Sequence, residues 1–320
     1  MIRRDFLGRA SALATGLVLG QGLLPAAARA QSSDTPPPFG AEARGVVGET
    51  ADGKVIAMDS LLQIYDPLVT PADVVIAGSY CGAANLPHAI RQGVRGMIAH
   101  DAGIGLDGAG IGALPLGDER GVPVAAVENL SAEVTNGRSM AGQGVISHAN
   151  ALAAALGITP GMNATQAGLL MLKAPMRAPS EVALPLDHSF RVMIEVGSGK
   201  GYASSAATNF PEGDEHAQDV LAWGAHMGTI AARILQTRRF KGCIGNDCGK
   251  ARNDSGIGSL PLLNDLGIMA ASVASMSARI GDGYSSWNDG RISAANDLAL
   301  AAGVALEMPA SDAARLMLLA

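Results

Sequence analysis

Apolar and polar residues alternate over residues 46–59 on either side of Asp52-Gly53, the pattern of two strands closed into a hairpin by a tight turn. Residues 73–77 form a short apolar run, followed by a glycine-bearing turn and a helix-period stretch over 84–92. A second apolar run, 96–99, ends in His100-Asp101 and a glycine-rich loop, 103–110, after which a helix is expected through Asp118. Residues 123–127 read as a third short strand. Residues 145–156 read as a helix stopped by Gly157, a common C-terminal signal. Short strands alternating with helices predict a mostly parallel sheet.

The same pattern then recurs. Gly96-Met-Ile-Ala-His-Asp-Ala-Gly103 is repeated as Gly242-Cys-Ile-Gly-Asn-Asp-Cys-Gly249, and Gly110-Ile-Gly-Ala-Leu-Pro-Leu116 as Gly256-Ile-Gly-Ser-Leu-Pro-Leu262. Asp101 and Asp247 give the offset, 247 − 101 = 146, and the register holds without a gap from Glu49 and Lys54, matched by Glu195 and Lys200, to Leu172, matched by Leu318. A match of that length is a duplication. The expected fold class is α/β: two tandem homologous lobes, each a short mostly parallel sheet with a β-hairpin and flanking helices, related by a pseudo-twofold axis.

Ahead of the repeats, Arg3-Arg4 with Phe6-Leu7, an apolar run over 10–24 and Ala26-Ala-Ala-Arg-Ala30 have the layout of a removable signal. The paired arginines resemble the twin-arginine signal, which implies contact with the twin-arginine export machinery and delivery of a folded chain to the periplasm. The expected organisation is a signal peptide over 1–30, a linker over 31–44, and repeats over 45–175 and 190–320. The apolar run is short for a spanning helix and no later segment is long enough, so no stable membrane anchor is expected.

Charge and composition narrow the partners. The net charge is −6, and the first thirty residues carry +3 (four arginines, one aspartate), leaving −9 (−6 less +3) on the rest. An acidic surface repels phosphate backbones, so nucleic acid is set aside. Aromatic residues make up only 3%, so a site here is walled by small side chains and backbone. Three cysteines, Cys81, Cys243 and Cys248, do not make a disulfide framework. No histidine pair has zinc-ligand spacing, so no metal site is expected, and no cofactor is assigned. The remaining partner is a small-molecule substrate, and a homo-oligomer is compatible with the sequence.

Ligands of open parallel sheets bind beyond the carboxyl ends of the strands. Asp101 and Asp247 follow buried-looking strands and are candidates for a general base and its orienting acid. Both residue types also hold turns by accepting loop N–H groups. Ser131 and Ser277 follow the third strand, where a nucleophile or oxyanion donor can be presented, although serine there commonly caps a helix. Arg279 replaces Glu133 and Asp282 replaces Asn136 between the copies, which makes Arg279 a candidate anchor for a substrate carboxylate. His100, Asn246 and Cys81 join Arg279 and Asp282 as candidate substrate-binding residues, Cys81 being matched by Met227. These placements point to a periplasmic enzyme, a hydrolase of small amides, esters or lactams acting between the lobes. A periplasmic solute-binding protein and an isomerase or racemase with opposed acid–base groups are the alternatives.

Overall fold

The computed structural model describes residues 44–182 and 189–320. The expected signal peptide, nearly all of the linker and a short stretch between the repeats lie outside the described residues. Lobe 1 contains strands β1 (Arg44–Thr50), β2 (Gly53–Met58), β3 (Val74–Tyr80), β4 (Gly96–His100), β5 (Val124–Val127) and β6 (Ile146–Ala149). Its helices are α1 (Leu86–Gln92), α2 (Ala113–Arg120), α3 (Gly137–Gln143), α4 (Ala151–Ala155) and α5 (Ala164–Met171). Lobe 2 repeats them as β7 (Phe190–Val196), β8 (Gly199–Ser204), β9 (Val220–His226), β10 (Gly242–Asn246), β11 (Met269–Val273) and β12 (Ile292–Ala295). Its helices are α6 (Ile230–Thr237), α7 (Ser259–Asp265), α8 (Gly283–Asn288), α9 (Asp297–Ala301) and α10 (Ala310–Leu319).

Each lobe is a six-stranded mixed sheet with its strands side by side in chain order. The hairpin β1–β2 is antiparallel, β2 to β5 run parallel, and β6 returns antiparallel on β5. Alternate residues of the strands feed two cores. Met58, Val75, Met97 and Val124 face α1 and α2, while Val55, Ile76, Ile98 and Val127 face α3, α4 and α5. Burial on both faces explains why the parallel strands read as unbroken apolar runs. Among the described residues, no helix is long and apolar enough to cross a membrane.

The segment read as one helix over 145–156 divides into β6 and α4. Asn150 makes the division. Its Oδ1 accepts the N–H of Ala153 at 2.9 Å, capping α4, and that of Val124 at 3.0 Å, while its Nδ2 donates to Val122 O at 2.8 Å. A capping residue must leave helical geometry, so the chain ahead of it is free to pair with β5. Asn296 does the same in lobe 2, binding Ala299, Ala270 and Ile268.

The two lobes belong to one compact unit and meet about a pseudo-twofold axis. Leu106 N–H donates to Ser275 O, and Arg252 N–H donates to Asn129 O, both at 2.8 Å. These are one contact made twice, since Arg252 and Ser275 are the repeat partners of Leu106 and Asn129. On the axis, Gly103 and Gly249 touch, and a Cβ on either would come 3.1 Å from the other's Cα. A small apolar core, Ala102, Val134, Cys248, Ala251 and Ile280, draws on both lobes.

Candidate functional site

The loops carrying Asp101 and Asp247 form the axial contact. Asp101 Oδ1 accepts Gly103 N–H at 2.9 Å, and Asp247 Oδ1 accepts the N–H groups of Gly249 at 2.9 Å and Ser275 at 2.8 Å. The loops need that support, because Ala102, Ile104, Cys248, Lys250 and Ala251 all have positive φ. Each such non-glycine residue costs roughly 1–2 kcal/mol. The strain sits where the lobes are brought glycine to glycine.

His100 and Asn246 brace these loops from below in the same way. His100 Nδ1 accepts Ala102 N–H at 3.1 Å and Nε2 donates to Ala132 O at 3.2 Å. Asn246 Oδ1 accepts Cys248 N–H at 2.9 Å and Nδ2 donates to Ala278 O at 3.1 Å. Both side chains are fully buried. Burial lowers the His100 pKa, more than its neighbour Asp101 raises it, so the imidazole is held neutral and does the work of an amide.

The serines are likewise engaged. Ser131 Oγ donates to Glu128 O at 2.7 Å and accepts Val145 N–H at 3.0 Å; Ser277 Oγ donates to Ala274 O at 2.8 Å and accepts Arg291 N–H at 2.9 Å. They tie the loop after β5 or β11 to the last strand. The caps of α3 and α8 are instead Asn136 and Asp282. Arg279 crosses between lobes, its Nε donating to Asp107 Oδ2 at 2.6 Å. The repeat-related contact is Asn253 Nδ2 to Glu133 Oε1 at 2.8 Å. One ion pair and one amide–carboxylate bond therefore clamp the interface at equivalent places. Cys81 is buried, and burial, followed by the nearby Asp101 charge, pushes its thiol pKa far above the ordinary range. All three cysteines are free.

These candidates hold the loops and the interface in place; a cavity of about 310 Å³ opens beside it, between the carboxyl ends of β3 and β9. That is the low end of the range in which small ligands bind, roughly 300–1,000 Å³. Both lobes line it at repeat-matched positions: Ser60 with Ala206, Ser79 with Ala225, Tyr80 with His226, Ala84 with Ile230, and His88 with Ile234. Among the described residues, no aspartate, glutamate, lysine or arginine lines it. A larger, shallow groove of about 700 Å³ lies at the far end of lobe 2. In lobe 1 the matching surface is covered by the connection to lobe 2, with Arg177 donating to Val94 O and Gly121 O, and Pro179 packed on Gly93. The groove is uncovered surface of one lobe, whereas the cleft is made by two.

Tyr80 and His226 are the distinctive pair. His226 Nδ1 accepts Gly228 N–H at 3.1 Å, which puts the proton of the neutral ring on Nε2. Burial, and then the neighbouring His100, lower the His226 pKa to about 4. Burial, and then Cys248, raise the Tyr80 pKa to about 12. At neutral pH both are therefore uncharged hydrogen-bond donors. Neither Tyr80 Oη nor His226 Nε2 has a partner among the described residues. Gly281 leaves room at the phenol, since a Cβ there would come 3.2 Å from Tyr80 Oη. Ser79 Oγ accepts Leu61 N–H at 2.9 Å and Ser60 Oγ accepts Leu62 N–H at 3.3 Å, which leaves both hydroxyl protons to be donated.

Tyr80 and His226 are absent from the sequence-derived candidates, because the apolar run that marks this strand in the sequence stops at Ala77, three residues before the strand ends. The available signal was position: both end the same strand of the repeat, one offset apart. Among the described residues, no group of three histidine, cysteine or acidic side chains is placed to hold a metal. No family model, curated protein or solved structure matches this chain.

Proposed function

We propose that this chain is an exported two-lobed receptor that holds one small, uncharged molecule in the cleft between its lobes. The observation that carries the reading is the cleft itself, built at matched positions by both lobes, lined by uncharged polar groups and hydrocarbon and, among the described residues, free of aspartate, glutamate, lysine and arginine. Transferring a carboxylate or ammonium into such a place without a countercharge is costly. Trp223 supplies an aromatic wall, its N–H already directed at Met227 Sδ at 3.3 Å. Export is supported by the Arg3-Arg4 signal pattern alone.

Hydrolysis, the reading favoured by the sequence, calls for an attacking group and a base at the ligand. Asp101, Asp247, Ser131 and Ser277 are outside the cleft lining. Ser60, Ser79 and His88 are in it, but the serine oxygens accept the N–H groups of Leu62 and Leu61 and His88 Nδ1 is bonded to Tyr65 Oη at 2.8 Å. His226 Nδ1 is committed to a backbone N–H, so neither serine is paired with a histidine base. Proton transfer between opposed groups meets the same obstacle, since Tyr80 and His226 both present protons. Binding without turnover therefore has the better support.

The test is native mass spectrometry of the mature chain purified from its own source, beside an Ile230→Trp variant that fills the cleft. An uncharged organic adduct on the wild type, absent from the variant, supports the receptor. An adduct retained by the filled variant, or steady turnover of a bound compound by the wild type, overturns it.

A further inference from the structure

The cleft is symmetric in its framework and asymmetric in its chemistry. Lobe 1 contributes Ser60, Ser79 and His88, where lobe 2 has Ala206, Ala225 and Ile234. Ala84 on the lobe 1 side is enlarged to Ile230 on the lobe 2 side. At the places of Ser60, Ser79 and His88 lobe 1 carries hydrogen-bonding groups where lobe 2 carries hydrocarbon, while the pair Leu62 and Thr208 runs the other way. Tyr80 and His226, one from each lobe, are donors with no protein acceptor.

Resting on the receptor reading, we infer that the ligand is an uncharged carbonyl compound with a hydrocarbon body, its C=O facing Tyr80 Oη–H and His226 Nε2–H and its body lying on Ile230 and Ile234. A carbonyl oxygen has two lone pairs and no proton, so it can accept from two donors at once. A hydroxyl or an amine brings a proton that His226 Nε2–H cannot accept and that must instead find Tyr80 Oη or the side-chain oxygens of Asn85, Thr208 or Asn209, whereas a carbonyl adds no such demand. Ser60 and Ser79 each already accept a backbone N–H, and Asn85 Nδ2 is directed to Tyr80 O at 2.8 Å. Donors left unpaired when a ligand enters are penalised, which makes a carbonyl the group that loses least on transfer from water. The cavity of about 310 Å³ has the volume of about ten waters at roughly 30 Å³ each, which suits a small, compact ligand.

The experiment is isothermal titration calorimetry of the mature chain with straight-chain 2-ketones of five to eight carbons, ε-caprolactam, the 2-alcohols of matching length, and carboxylates and amines of equal size. Ketones and lactam are expected to bind and the ions not to bind. Affinity should rise about fourfold for each added methylene until the cavity is full. Tyr80→Phe, which keeps the ring, should weaken ketones roughly three- to tenfold and bring ketones and alcohols to parity. Ile234→His, which restores the lobe 1 residue, should flatten the chain-length series. Circular dichroism and thermal melts check that both variants are folded.

Alcohols that bind as tightly as ketones, with a Tyr80→Phe variant that changes neither, would overturn the carbonyl assignment and leave the receptor standing. A flat chain-length series in the wild type would overturn the placement of the hydrocarbon body. If none of the uncharged probes binds, the receptor reading fails along with this inference.

Discussion

Acid should loosen this protein through His226, and the size of the effect follows from where that ring sits. His226 is buried, and its pKa is lowered to about 4, chiefly by burial and then by His100. An unfolded chain restores the ordinary value of roughly 6.5. Between those values the unfolded state binds the proton and the native state resists it, so the stabilisation is complete above about pH 6.5 and is lost as pH falls through about 4. Going from pH 7 to pH 4.5, this ring alone should remove about 2 kcal/mol, at 1.36 kcal/mol per unit of displacement. The protein itself supplies the control substitution. Asn246 accepts the N–H two residues ahead of it as His226 does, so His226→Asn keeps the turn and removes the titration. Urea unfolding of both proteins at pH 7 and pH 4.5 should show the variant losing about 2 kcal/mol less. Equal acid losses would refute the assignment of a buried neutral ring.

Two other outcomes follow from the hydrogen bonds already described. Asn150→Ala should lower stability by about 2–4 kcal/mol, because two backbone N–H groups and a carbonyl are left inside the lobe; Asn296→Ala should match it, and thermal melts compare the two. Ser131→Ala and Ser277→Ala should each cost about 1 kcal/mol, since each hydroxyl joins a carbonyl to an N–H of the last strand. Both should bind the cleft ligand unchanged, and a folded serine variant that has lost function would restore the nucleophile.

The repeat, the hairpins, the parallel strands and the glycine-rich loops were all legible in the sequence, because each lobe buries its sheet on both faces and writes each strand as an apolar run. The sixth strand was not legible. Four residues, Ile146–Ala149, lead directly into an alanine-rich helix, and only Asn150 marks the break between them. The cleft opens at the carboxyl ends of the strands, the end singled out in the sequence, but the residues chosen there were those of the commonest catalytic types. Asp101, Asp247, Ser131 and Ser277 recur in both copies because the same loop must be held twice. Tyr80 and His226 lie beyond the apolar run that marks their strand, where the sequence no longer reads as strand and not yet as loop. In this chain the recurring polar residues hold the scaffold together with several that changed, such as Arg279 and His100, while the changed pair Tyr80 and His226 lines the cavity.

The paired contact of Leu106 with Ser275 and Arg252 with Asn129 has the self-complementary form that identical subunits make about a twofold axis. A cavity on such an axis between separate, identical subunits must show every group twice, so a guest that enters one way round enters equally well the other way round. Any mutation there acts at both ends together. Joining the two halves in one chain removes that constraint: His88 and Ile234 can differ at matched places, so a cavity of this kind can favour one direction for a guest with unlike ends. The covalent connection between the repeats is thus what permits the cavity to tell head from tail.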